Sequence, residues 1–265
     1  MPVAIKDEFS DPPLSQQRSV RQGGLINGLT GAATSLSCCA ALTLLVQAGY
    51  SQELGSPPDA KETDFVPVPF RSPKGVAVNT SDRAEVAQFY QTIYRASEGV
   101  PSGWNGDRGT CTAGATSQAY ADATILRVNY YRAMTGLPGD VILSNLWNLQ
   151  AQDAALMMSA QGALSHSPDT NWSCYTTGGA QATGKSNLAL GADAAAAIDL
   201  YMDDPGTGGN AAVGHRRWIL YPPTKIMGTG NIPNTGGWAA NDLWVIGGAG
   251  TRPTLLPGRL DDASA

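Results

Sequence analysis

The sequence predicts an α+β fold, with helices first and an antiparallel sheet after them. Apolar stripes at helical spacing are confined to positions before about residue 205. Short aromatic and aliphatic runs follow, separated by Pro-Pro and Gly-Gly breakers. Hydrophobic residues make up 42% against 15% charged, which suits a chain with a real core. The net charge of -5, with no basic run longer than Arg216-Arg217, argues against a nucleic-acid partner, because such proteins gather Lys and Arg on one face.

Residues 1–48 read as a signal peptide or targeting segment. Arg18 and Arg21 lead into the low-charge stretch Gly23 to Ala48, which holds the apolar run Ala40 to Val46, and Val46-Gln47-Ala48 offers small residues for cleavage after Ala48. A retained anchor is the alternative. A span needs about twenty mostly apolar residues, however, and Asn27, Gly28, Thr30, Gly31, Thr34, Ser35 and Ser37 dilute this one. Lipid attachment at Cys38 is disfavoured because the apolar run follows it. The polar lead is long for a signal peptide, so translation is expected to start further in. The mature chain is therefore expected in a secreted or cell-envelope location without a stable membrane span.

Cleavage leaves Cys111 and Cys174, and an even pair in an exported protein reads as one disulfide, with two buried thiols as the alternative. Its loop of about sixty residues would stabilise the fold by about 3 to 4.5 kcal/mol. Neither cysteine has CxxC or zinc-type spacing.

Residues 49–80, rich in Pro, Gly, Ser and charge, read as a flexible linker. The folded part is expected over 81–250, beginning with a helical extension in which Ser81-Asp82 caps Val86, Phe89, Tyr90, Ile93 and Tyr94. A second helix over Gln118 to Met134 carries Ala123, Leu126, Tyr130 and Met134 on one face and stops at Gly136. Ser144 caps a third, whose Trp147, Ala151, Ala154, Ala155 and Met158 form one stripe, and Gly162 ends it shortly before His166. A fourth covers Asp193 to Asp204 and is ended by Pro205. Arg217 to Tyr221, Lys225 to Met227 and Leu243 to Ile246 predict strands, with Gly228-Thr229-Gly230 as a hairpin turn. Residues 251–265 show no periodicity and are expected to be a loose tail, the end of a truncated chain if relatives continue there.

The chain holds only two histidines, His166 and His215. Imidazole changes charge near neutral pH and binds metals, so a facing pair would be its polar centre. Around them stand Asn129-Tyr130-Tyr131-Arg132 before Gly136-Leu137, Leu164-Ser165-His166, Ser186-Asn187-Leu188-Ala189, Tyr201-Met202-Asp203-Asp204 and Gly214-His215-Arg216-Arg217-Trp218. In that order these motifs resemble the CAP superfamily (cysteine-rich secretory proteins, antigen five and pathogenesis-related proteins, or SCP domains), in its bacterial branch, over about Ala123 to Gly248. The resemblance implies an α-β-α sandwich, an extracellular location, and a cleft lined by two histidines and two acidic residues that binds a divalent cation in some members. His166 and His215 fall on the histidine positions. Asp204 falls on the second acidic position, three residues after Tyr201, where the family usually has tryptophan. Ser186, next to Asn187, falls where the family has the glutamate of a Gly-Glu-Asn motif, and no glutamate follows Glu98.

His166, His215 and Asp204 would still supply three ligands to zinc with one position open. Losing a carboxylate at Ser186 lowers the expected affinity, which favours a metal-free polar cleft. Ser186 with a histidine and Asp204 would imitate a nucleophile, base and orienter, but no Gly-x-Ser-x-Gly elbow surrounds it. No Walker loop, dinucleotide fingerprint or His-Glu-x-x-His helix occurs. The expected function is a secreted binding module whose cleft, with His166, Ser186, Asn187, Asp204 and His215, holds an extracellular lipid, glycan or protein. The alternative is a peptidase or esterase, dependent on zinc or histidine, that uses His166, His215 and Asp204.

Overall fold

The computed structural model describes residues 50–52, 54–55, 57, 75–204 and 213–250. The expected targeting segment 1–48, much of the expected linker and the expected tail 251–265 lie outside the described residues. The elements in order are β1 (Tyr50–Gln52), α1 (Arg83–Phe89), α2 (Gln118–Met134), β2 (Ile142–Leu143), α3 (Asn145–Gln161), α4 (Thr177–Thr183), β3 (Ser186–Leu190), α5 (Ala194–Asp203), α6 (Gly214–Ile219), β4 (Ile226–Ile232) and β5 (Ala240–Trp244). A π-helical turn over Tyr90–Tyr94 continues α1.

Helix starts follow the capping chemistry of the sequence. Asp82 Oδ1 accepts the N–H groups of Ala84 and Glu85 at 2.8 and 3.2 Å. The side chains of Ser117 and Ser144 accept from Tyr120 and Trp147. Gly162 ends α3 in the left-handed region, at φ 69°, where a Cβ is unfavourable.

The sheet runs β1-β3-β5-β4-β2. Its β1/β3, β3/β5 and β5/β4 pairs are antiparallel, and the two-residue β2 pairs parallel with β4. The α+β class therefore holds, with a sheet that is mixed at one edge. The parallel pair is reached through the long crossover from β2 to β4 that such pairing requires.

Alternation along the strands builds a core on each face. Ala189, Met227 and Leu243 pack with Val128 of α2, Ile198 and Tyr201 of α5, and Ile219 of α6. Leu188, Leu190, Ile232 and Ala240 pack with Ala155, Leu156 and Met158 of α3. Trp244 packs with Ala154 of α3 and Ala182 of α4. Two helical layers thus enclose one sheet.

Four expectations change. The expected strand at Arg217 to Tyr221 is the end of a helix, α6, whose Trp218 and Ile219 are both buried. Six residues are too few to display a helical stripe, so aromatic and aliphatic content misled the reading. Gly228-Thr229-Gly230 is not a turn but the middle of β4, where glycine lets α3 approach: a Cβ on Gly230 would lie 2.1 Å from the Ala151 carbonyl carbon. Within the expected linker, Tyr50–Gln52 pairs with β3, Val76 bridges Gly139, and Val78 is buried. Backbone hydrogen bonds carry that short edge, and three residues show no period. Finally, α4, β2 and β3 were not foreseen as elements. Gly178 and Gly179 dilute α4, and the fully buried β3 has no polar alternation.

Gly230→Ala is expected to cost at least about 1–3 kcal/mol through forced separation of α3 from β4. Chemical denaturation of the variant reads this directly, and an unchanged midpoint would contradict the packing.

Candidate functional site

His166 lies beyond the Gly162 stop of α3, against the last turn of α4. Its Nδ1 is 2.7 Å from the Thr183 carbonyl oxygen. A carbonyl only accepts, so Nδ1 carries a proton and donates to it. Nε2 is buried with no hydrogen-bond partner among the described residues.

His215 is the second residue of α6. Its Nδ1 lies 2.8 Å from Asp204 Oδ1, and both side chains are 1% exposed. Asp204 follows α5 in the left-handed region, and its Oδ2 accepts the Arg216 N–H at 3.2 Å. Arg216 in turn donates to the carbonyls of Met202 and Asp203, at 2.6 and 3.0 Å, fastening α6 across the end of α5. The imidazole stacks on Tyr201, with ring centroids 5.3 Å apart. Asn187 Nδ2 donates to the His215 carbonyl at 3.1 Å.

The first two residues of β3 point to opposite faces. Asn187 belongs with His215, Tyr201 and Asp204. Ser186 belongs with α4: its Oγ lies 2.8 Å from the Ala182 carbonyl and 2.6 Å from Oδ1 of Asp242 on β5. His166 and Ser186 are thus held by the consecutive carbonyls of Thr183 and Ala182, while Asp204 and His215 form a separate hydrogen-bonded pair.

Asp242 was missed in the sequence, where it reads as one polar residue beside an apolar run. It is fully buried, and its Oδ2 has no hydrogen-bond partner among the described residues. A carboxyl therefore does occur beside Ser186, supplied by a neighbouring strand. Burial pushes it well above its ordinary value of 3.8, opposed in part by the hydrogen bond with Ser186. The raised value makes the unfolded chain the stronger acid. This group's contribution is complete below about pH 3.8 and is lost as pH rises towards the folded value. Asp242→Asn should flatten that part of the stability curve and gain on the wild type as pH rises. Thermal melts across pH 4 to 8 check this, and parallel curves for the two proteins would contradict it.

Arg132 is a fully buried cation. It donates to the carbonyls of Pro138, Ile219, Tyr221, Pro222 and Thr224, fixing the turn after α6. Burial lowers its pKa to about 10, so it remains charged at neutral pH.

A zinc site built from His166, His215 and Asp204 does not fit this arrangement. Both Asp204 oxygens are engaged, one by the His215 ring and one by the Arg216 N–H, so the carboxylate stands behind the imidazole as its orienter. Among the described residues no three His, Cys, Asp or Glu side chains gather in a way that could hold a metal ion. No described helix is long and apolar enough to cross a membrane. Cys111 and Cys174 form the expected disulfide.

No curated protein and no solved structure matches the chain. The CAP family, described as the cysteine-rich secretory protein family, matches residues 125–247. The match runs from the second turn of α2 past the end of β5, and so includes both histidines, Ser186, Asn187, Asp204 and Asp242. The chain therefore carries a CAP domain, and its residues 125–247 belong to the cysteine-rich secretory protein family.

Proposed function

We propose that this chain is a secreted binding module, in which His166, Ser186, Asn187, Asp204 and His215 shape a metal-free polar cleft for an extracellular lipid, glycan or protein. The observation that carries the reading is the engagement of the polar groups with one another. Asp204 orients His215 and holds Arg216, Ser186 is bound to Asp242 and Ala182, and Asn187 holds the His215 backbone. Such a buried network holds the residues above it in one shape, which favours recognition by preorganisation. Membership of a family named for secreted proteins, the disulfide and the expected signal segment support export.

One observation favours the hydrolase reading: the buried Asp204–His215 pair is the orienter–base half of a catalytic constellation. Ser186, the candidate nucleophile, is bonded to Asp242 instead. The two readings separate in one assay set. Purified chain is titrated with phosphatidylglycerol vesicles and a panel of soluble glycans and exported proteins, while p-nitrophenyl acetate and casein hydrolysis are followed in parallel. The proposal expects saturable retention of one of these probes without turnover, weakened in Asn187→Ala. Ester or peptide turnover abolished in both His166→Ala and His215→Ala would overturn it.

A further inference from the structure

A cleft of about 410 Å³ lies away from the histidines, lined by Ser97–Val100, Tyr120, Arg127, Asp193–Ala196 and Asp199. Ser97–Val100 and Tyr120 precede the family-matched residues, so part of this wall lies outside the match.

The wall offers hydrogen-bond donors and acceptors side by side. Asp193 stands at the N-cap of α5, yet its side chain makes no cap bond. Its Oδ2 instead accepts from the Tyr120 hydroxyl at 2.5 Å. The first-turn N–H groups of Ala195 and Ala196, which have no intrahelical partner, are left without a side-chain cap. Asp199 is committed to Arg127 and accepts from the hydroxyls of Tyr94 and Tyr131 at 3.1 and 2.8 Å. Glu98 stands exposed at the rim, and Val100 and the α5 alanines add apolar surface.

We infer that this cleft is a second binding site, for a short neutral saccharide. An anionic ligand would meet three carboxylates, Glu98, Asp193 and Asp199, while the nearby arginines are already committed, Arg95 to Glu98 and Arg127 to Asp199. A small cation would face the positive end and unfilled N–H groups of α5. A purely apolar chain would leave the first-turn N–H groups of Ala195 and Ala196 without partners. Sugar hydroxyls both donate and accept, and a ring's C–H face suits the apolar part, so a neutral polyol fits every part of the lining. The volume falls within the range of small-molecule pockets. This site is separate from the proposed histidine cleft, and either can fail without the other.

The test is an amide and imidazole NMR titration of the full exported chain with N,N′-diacetylchitobiose and with maltose, using putrescine and octanoate as controls. The expected result is a saturable shift of the Ala195, Ala196 and Gly99 amides with at least one disaccharide, and unmoved imidazole signals. Ala196→Trp, which fills the cleft from an exposed position, should weaken binding about tenfold or more. Val100→Trp provides the same block from the opposite wall. No saturable shift with either sugar, tighter binding of putrescine or octanoate, or affinity unchanged in both tryptophan variants would overturn the inference. So would shifts confined to the two imidazoles, which would assign the sugar to the histidine cleft instead.

Discussion

Replacing Cys111 and Cys174 by serine lowers the unfolding free energy by about 4 kcal/mol. The bond closes a loop with a sequence separation of 63, and a loop of that length restricts the unfolded chain by about this amount. The folded side of the balance points the same way. The Cys111 turn also carries Arg108, which donates to Ser159 Oγ at 2.7 Å and to the carbonyls of Pro233, Thr235 and Trp238. The disulfide ties that turn to the α3–α4 connection, so its loss loosens the same clamp. Differential scanning calorimetry of the double variant should show a fall of about 10 °C. A shift within about 2 °C would mean that Arg108 alone suffices.

Asp204→Ala is expected to destabilise the domain by about 3–5 kcal/mol, because it removes one partner of a buried, hydrogen-bonded pair and strands the other. The His215 Nδ1 and the Arg216 N–H both lose their acceptor, and α6 loses a tie to the end of α5. Asp204→Asn keeps the shape and one acceptor oxygen, so its cost should be nearer 1–3 kcal/mol. Urea denaturation of both variants reads the ordering. Equal, small losses would show that the pair is not what joins α5 to α6.

Much of this fold was legible because long helices repeat their signal. Over α2 and α3 the apolar stripe and the terminating glycine agree, with Ser144 capping α3 as well, and those helices lie where the sequence places them. Short elements carry no such redundancy. Trp218 and Ile219 have the composition of a strand and the conformation of a helix, and tertiary contacts decide: Arg132 holds the turn that follows them. The glycines of β4 record a helix crossing the strand, information that lies in α3 and not in the local sequence.

The site was partly legible for the same reason. Both histidines and Asp204 could be named from short motifs, but their hydrogen-bond roles could not. Asp204 lies behind His215, not beside it, and the carboxyl near Ser186 comes from Asp242, 56 residues away along the chain. Pairing of β3 with β5 creates that neighbour, with Leu188 opposite Asp242 and Ser186 opposite Trp244. A search for acidic residues within one motif has no access to a partner supplied by strand register.

The proposed function turns on the two histidines being held by the protein itself, His166 by the Thr183 carbonyl and His215 by Asp204. Because the chain has only two, an imidazole ¹⁵N correlation spectrum at neutral pH, with and without equimolar zinc, observes each of them separately. The account predicts two rings protonated on Nδ1, donating to Thr183 and Asp204, with signals unmoved by the metal. Joint displacement of both Nε2 resonances at one equivalent of zinc would contradict it.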